Sequence, residues 1–128
     1  MKASAYHLQL NTSDLKFYRK LCKFLQFKTI DSGRTWFGVN AGTIDLWIFQ
    51  IDKKFRGQRY RRRGKGLHHL ALRVSSAKQV DAFLQKFVLK HKLSYLYGGP
   101  KRFPQYSKNY YALYFEDPDK IVVEIVYR

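Results

Sequence analysis

Two stretches of the chain alternate apolar and polar residues, begin on a histidine, and run directly into a helical pattern: HLQLNTSD from His7 and HLALRVSS from His69. Behind the first, Leu15, Tyr18, Leu21, Cys22 and Leu25 recur at three- and four-residue steps, with Ser13 or Asp14 placed to cap a helix. Behind the second, Val80, Phe83, Leu84, Phe87 and Val88 do the same after Ser75 or Ser76. Strand-like runs follow each helix. Thr35 to Asn40 and Thr43 to Ile51 flank an Ala41-Gly42 turn, while Ser94 to Tyr97, Tyr110 to Phe115 and Ile121 to Tyr127 are separated by the turn-rich GGPKRFPQYSKN and EDPDK. The pattern predicts an α+β fold of two βαβββ modules, residues 1–52 and 66–128, whose mixed sheets form a curved cup.

Strand alternation also predicts what each face carries. In the first strand Leu8 and Leu10 turn to the helix, leaving His7, Gln9 and Asn11 on the opposite face. In the matching strand Leu70, Leu72 and Val74 turn inward, leaving His69, Ala71 and Arg73. In TIDLWIFQI, Asp45 shares a face with Trp47 and Phe49; in IVVEIVY, Glu124 shares one with Val122 and Val126. Read this way, His69 is the counterpart of His7 and Glu124 of Asp45. Each module offers one imidazole and one carboxylate that interrupt otherwise apolar strands. A buried carboxylate needs a partner to offset its desolvation, and two imidazoles with two carboxylates can supply it by holding a divalent cation. Such an N2O2 set suits Ni, Co, Fe, Mn or Zn without choosing among them. Taken singly, each residue also fits an edge-strand polar group or a histidine satisfied by hydrogen bonds.

These segments resemble the vicinal oxygen chelate superfamily of glyoxalases, extradiol dioxygenases, methylmalonyl-CoA epimerase and the fosfomycin and bleomycin resistance proteins. His7 with Asp14, followed by Phe17 and Tyr18, resembles the family's opening strand and helix. GLHHLALRV resembles its central strand, with His69 rather than His68 in the ligand place. ALYFEDPDKIVVEIVY resembles its closing motif, with Glu124 as ligand and Lys120 where glycine is usual. TIDLWI resembles a glyoxalase I segment, with Asp45 one methylene shorter than the usual glutamate. The resemblance implies metal ligation by His7, Asp45, His69 and Glu124, chelation of neighbouring substrate oxygens, and a proton-shuttling role for Glu124. If Asp45 does not reach the metal, His7, His69 and Glu124 form a two-histidine, one-carboxylate face. Gln9, Asn11, Trp47, Phe49 and Arg73 are the candidates for orienting substrate. Asn11 stands where a glutathione-dependent enzyme of this family carries an arginine. The resemblance further implies a homodimer and a lyase, isomerase or ring-cleaving dioxygenase; a resistance protein that binds a small molecule without turnover is the alternative.

Composition adds one constraint. The 128 residues are 45% hydrophobic and 17% aromatic, enough for one domain whose two modules share a core. Charge is lopsided, 25 basic against 9 acidic residues for a net +16, and eight of the 25 fall in KKFRGQRYRRRGK, residues 53–65, the expected connection between modules. A positive field attracts anions and favours an acidic or phosphorylated small-molecule substrate; it disfavours cationic bleomycin. Arg61, Arg62 and Arg63, interleaved with aromatics, also fit a solvated loop or contact with nucleic acid, although no nucleic-acid-binding signature accompanies them. No apolar run suggests a signal peptide or a membrane-spanning helix, so the expected location is the cytoplasm. Cys22 reads as a core residue.

Overall fold

A cap residue starts each helix. The Asp14 carboxylate accepts from the Phe17 amide at 2.9 Å, and the Ser76 hydroxyl accepts from the Gln79 amide at 3.3 Å. The computed structural model describes residues 1–128 and resolves into two compact units, Met1–Gln58 and Arg59–Arg128. The first unit runs β1 (His7–Thr12), α1 (Leu15–Phe24), β2 (Lys28–Ser32), β3 (Trp36–Asn40) and β4 (Asp45–Gln50), with strand order β1-β4-β3-β2. The second runs β5 (His69–Arg73), α2 (Ala77–Phe83), β6 (Lys101–Arg102), β7 (Tyr111–Glu116) and β8 (Val122–Tyr127), ordered β5-β8-β7-β6. Each is a βαβββ unit of an α+β fold. In both, the first strand lies parallel to the last, which requires the intervening chain to cross over one face, and the helix does so.

That crossover divides each sheet into a helix-packed face and a second face. Tyr18, Leu21 and Cys22 of α1 are buried along with Leu10, Phe37, Val39, Leu46 and Ile48 of the first sheet. Val80, Phe83 and Phe87 are buried along with Leu72, Leu113, Phe115, Val123 and Ile125 of the second, and the Phe83 ring lies 5.6 Å from that of Phe115. A π-helical turn, Leu84–Val88, extends α2, and its five-residue hydrogen-bond spacing (Leu89 N–H to Leu84 C=O, 2.9 Å) keeps Phe87 and Val88 both buried.

The two helices stop in the same way. Phe27 N–H reaches Cys22 C=O and Gln26 N–H reaches Lys23 C=O; Leu93 N–H reaches Val88 C=O and Lys92 N–H reaches Leu89 C=O. These are paired six-to-one and five-to-two closures of Schellman type. The residue at the left-handed position is Gln26 (φ 58°) in one and Lys92 (φ 53°) in the other, where glycine is the unstrained choice. The β7–β8 turn is built differently. Buried Asp117 accepts from the amides of Asp119 and Ile121, each at 2.8 Å, and Lys120 adopts φ 69° at the position expected for glycine.

Three expectations change. The first module has a third strand after its helix, β2, whose five residues are all exposed, so no apolar alternation announces it. Ser94 to Tyr97 is reduced to a single bridge, Tyr95 to Phe115, because Tyr97, Gly98 and Gly99 all take positive φ and turn the chain away. The short β6 lies instead inside the stretch read as a turn. The basic connection is not uniformly loose: Lys53–Phe55 forms a 3-10 turn, and the Tyr60 hydroxyl donates to the carbonyls of Leu67 and His68, attaching the tract's second half to the start of β5. No helix is long and apolar enough to cross a membrane.

Replacing Gln26 or Lys92 by glycine should relieve left-handed strain and raise the unfolding free energy by about 0.5–1 kcal/mol each, measured by denaturant titration. Burial raises the Cys22 thiol from 9.0 to about 12. The folded state therefore keeps a proton that the unfolded thiol releases. The resulting stabilisation is complete below pH 9 and is lost as pH rises towards 12. Unfolding free energy should fall more steeply over that window in the parent than in Cys22→Ala, and parallel curves would refute the assignment.

Candidate functional site

Glu124 is the most consequential polar residue. It lies on β8 with only 1% of its surface exposed, on the face turned away from α2. Moving a carboxylate into such a place costs several kcal/mol unless its oxygens are bonded. Three groups bond them. The Tyr110 hydroxyl donates to Oε1 at 2.6 Å, His69 Nε2 lies 2.9 Å from Oε2, and Tyr114, directly across the β7–β8 ladder, also hydrogen-bonds the carboxylate. Each hydrogen bond to a charged group contributes about 1.5–3 kcal/mol, so together they offset the burial. Burial first, and then the bond to Glu124, pushes Tyr110 up to about 12 and raises Tyr114 as well. Both hydroxyls therefore stay protonated donors at neutral pH.

A second histidine extends the chain. His68 Nδ1 lies 2.8 Å from His69 Nδ1. With His69 Nε2 donating to Glu124, its Nδ1 must accept, so His68 carries the proton between them; with Nε2 free for another ligand, the roles reverse. The neighbour read as uninvolved thus holds the ring of the candidate ligand.

Beside His69 lies a cavity of about 330 Å³ lined by Arg62, His68, Tyr97, Lys101, Phe103 and Tyr106, among others. Buried Phe103 packs with Tyr114 (5.4 Å, edge-on) and covers the non-helix face of β7–β8 along with Ala112, Val122 and Val126. The segment read as a turn therefore closes over the site. Arg62 is half-buried in the cavity wall while Arg61 and Arg63 are exposed, so the three arginines do not present one face.

In the first unit, His7, Gln9 and Asn11 are exposed on the non-helix face of β1, in register with Asp45, Trp47 and Phe49 of β4. Trp36 stacks on Phe49 at 6.1 Å and lies 5.9 Å from Trp47, forming an aromatic floor. Gly38 lies beneath Trp47, whose ring a Cβ would meet at 2.7 Å. Arg73 is exposed on β5.

The register corrects the pairing of carboxylates. His7 pairs with Asp45, but His69 pairs with Val122, and Glu124 pairs with Ala71. The first-unit equivalent of Glu124 is accordingly Trp47, paired with Gln9, and not Asp45. The two carboxylates lie two residues apart in the repeat. Asp45 instead accepts from Asn40 Nδ2 at 3.0 Å, tying β4 to the end of β3. Within each unit the candidate ligands fall in twos, His7 and Asp45 in register on neighbouring strands and His69 and Glu124 in contact; no group of three comes together in either. The His69–Glu124 pair fits a cation: cis ligands on bonds of ~2.1 Å stand about 3 Å apart.

This doubled βαβββ arrangement, with a histidine on the first strand of each half and a glutamate on the last strand of the second, can be compared with known proteins. No family model matches the sequence. The uncharacterized protein YqjT of Bacillus subtilis is 30% identical over 128 residues, covering 94% of this chain and 96% of that protein. A Bacillus halodurans crystal structure, provisionally named a glyoxalase, superposes with a TM-score of 0.81 at 28% identity, over 95% of this chain and 93% of that one. The fosfomycin resistance protein FosX of Listeria monocytogenes shares the fold at TM-score 0.70 and 16% identity, over 98% and 93% of the two chains. The chain belongs to the vicinal oxygen chelate superfamily, whose members include glyoxalase, bleomycin resistance and dioxygenase proteins.

Tyr110→Phe removes the 2.6 Å bond to Glu124 and should lower the unfolding free energy by about 1.5–3 kcal/mol. A loss below ~0.5 kcal/mol in denaturant titration, within the range of an ordinary surface change, would mean the carboxylate does not depend on that hydroxyl.

Proposed function

We propose that this protein is a metal-dependent enzyme of the glyoxalase or dioxygenase type that acts on a small anionic substrate through two neighbouring oxygens. The observation that carries the reading is the 2.9 Å approach of His69 Nε2 to Oε2 of a glutamate with 1% exposure. An imidazole and a carboxylate so held are two ligands in wait. The family resemblance adds His7 and Asp45 as further donors, and a histidine–carboxylate set of that kind suits Fe, Mn, Ni, Co or Zn. Trp47 occupies the register position equivalent to Glu124, so the first unit offers no carboxylate there; Asp45, opposite His7, accepts from Asn40 on Oδ1 and keeps a second carboxylate oxygen able to ligate.

When bound, the cation would act as a Lewis acid on the substrate oxygens. The chain's own groups do the rest. His68 holds the ring of His69 through Nδ1, leaving Nε2 to ligate. Tyr110 and Tyr114 hold Glu124, whose carboxylate would take up or return a proton at Oε1. Gln9, Asn11, Trp47 and Phe49 in the first unit and Arg73 in the second are the candidates for contacting substrate. A homodimer in the cytoplasm remains the expected form. A second reading, a metal-free binding protein of the same fold, is favoured by the completeness of the hydrogen bonding around Glu124, which needs no cation to be satisfied.

Elemental analysis of tag-free protein separates the two readings. The enzyme reading expects about one ion per expected site, lost in both His69→Ala and Glu124→Gln while their circular dichroism stays native. No metal after reconstitution with each candidate ion sinks it.

A further inference from the structure

The cavity beside His69 has a chemical character of its own. Its wall is aromatic: Phe103 stacks on Tyr106 at 5.8 Å, and Tyr97 stands edge-on to Phe103 at 6.2 Å and to Tyr114 at 5.4 Å. Phe103 and Tyr114 are buried, yet Tyr97 and Tyr106 are 53% and 62% exposed. Two tyrosine rings left open above a packed aromatic base form a surface suited to a flat apolar partner. The backbone enforces the placement. Tyr97 is held at φ 57°, a conformation a bulky residue rarely adopts, and Gly98 and Gly99 continue at 79° and 109°.

The charge at the rim is of one sign. Lys101 Nζ lies 5.6 Å from the Tyr97 ring centre and 5.4 Å from that of Phe103, and Arg62 lines the same cavity. Neither makes an ion pair. The cavity lining includes no carboxylate. A cationic ligand would meet two like charges, whereas an anion would find two free donors. The volume of about 330 Å³ is at the small end of ligand sites, which run from roughly 300 to 1,000 Å³, so a body of one or two rings fits.

We infer that this cavity binds a small aromatic acid, with its ring against Tyr97, Phe103 and Tyr106 and its anionic group on Lys101 and Arg62. This names a substrate class for the His69 side of the site proposed above and rests on that reading only in calling the ligand a substrate; the binding does not require a metal. His69, in the same wall, would meet the ligand at the end nearest Glu124.

The test uses four matched probes on chelator-treated protein, followed by NMR titration: phenylacetate, neutral phenylacetamide, cationic phenethylamine and non-aromatic cyclohexylacetate. Phenylacetate should bind at least about tenfold more tightly than each of the others, the effect of one charge-assisted or aromatic contact. Its shifts should concentrate at residues 97–106. Lys101→Met, an exposed position whose change leaves the core intact, should weaken phenylacetate about tenfold and leave phenylacetamide unchanged; Tyr106→Ala should weaken phenylacetate more than cyclohexylacetate. Equal affinities across the four probes, or no effect of Lys101→Met, overturns the inference. Because metal is absent from this measurement, discrimination without any metal in the parent protein sustains the cavity while the enzyme reading fails. Stoichiometric metal without discrimination does the reverse.

Discussion

The second half of this protein is organised around one buried negative charge. Glu124 could not occupy the interior of β8 without His69, Tyr110 and Tyr114, and each of those is placed by a different part of the unit: the first strand, the end of the long loop, and the neighbouring strand. The loop is the expensive component. Residues 97–110 must close over the sheet to deliver Tyr110, and Phe103 is buried in doing so. Much of the loop's shape therefore follows from the need to keep a carboxylate dry and bonded. The cavity lies where that loop and the strand edge leave space.

The first half solves the same geometry differently. At the position equivalent to Glu124 it has Trp47, lying over Gly38 and beside Trp36. An indole there needs no hydrogen-bonded retinue, so no long loop is required, and the strands are joined by short turns. The duplicated units thus share strand order, crossover and helix-end geometry, while one keeps a charge and the other a ring. This difference in chemistry explains why the two halves look alike in topology and unlike in their second faces.

Much of this was legible in the amino-acid pattern. Both helices, their caps, the histidine-led strands and the terminal strand carry strong periodicity because each buries one face, and Glu124 is conspicuous as a charge inside an apolar run. Strand β2 was not legible because it is an exposed edge that buries nothing. The loop over Glu124 was read as turns because glycine, proline and lysine dominate it, which hides the packing of Phe103. The offset between Asp45 and Glu124 depends on strand register, and one-dimensional alternation fixes which face a residue occupies but not which neighbour it meets. The roles of His68, Tyr110 and Tyr114 arise from contacts across strands and loops that no spacing rule reports.

The division at Gln58 has a consequence for how the chain acquires its structure. Every strand partner in the first sheet lies within the first unit, and every partner in the second within the second. Neither sheet waits for residues from the other. During synthesis the amino-terminal sheet has all its hydrogen-bonding partners once its own segment has emerged, well before the carboxyl-terminal strand bearing Glu124 exists. The charge-bearing half is made after the first, and the last of its strands, β8, lies inside its sheet between β5 and β7. The second unit therefore closes late and all at once, around the residue on which its chemistry depends.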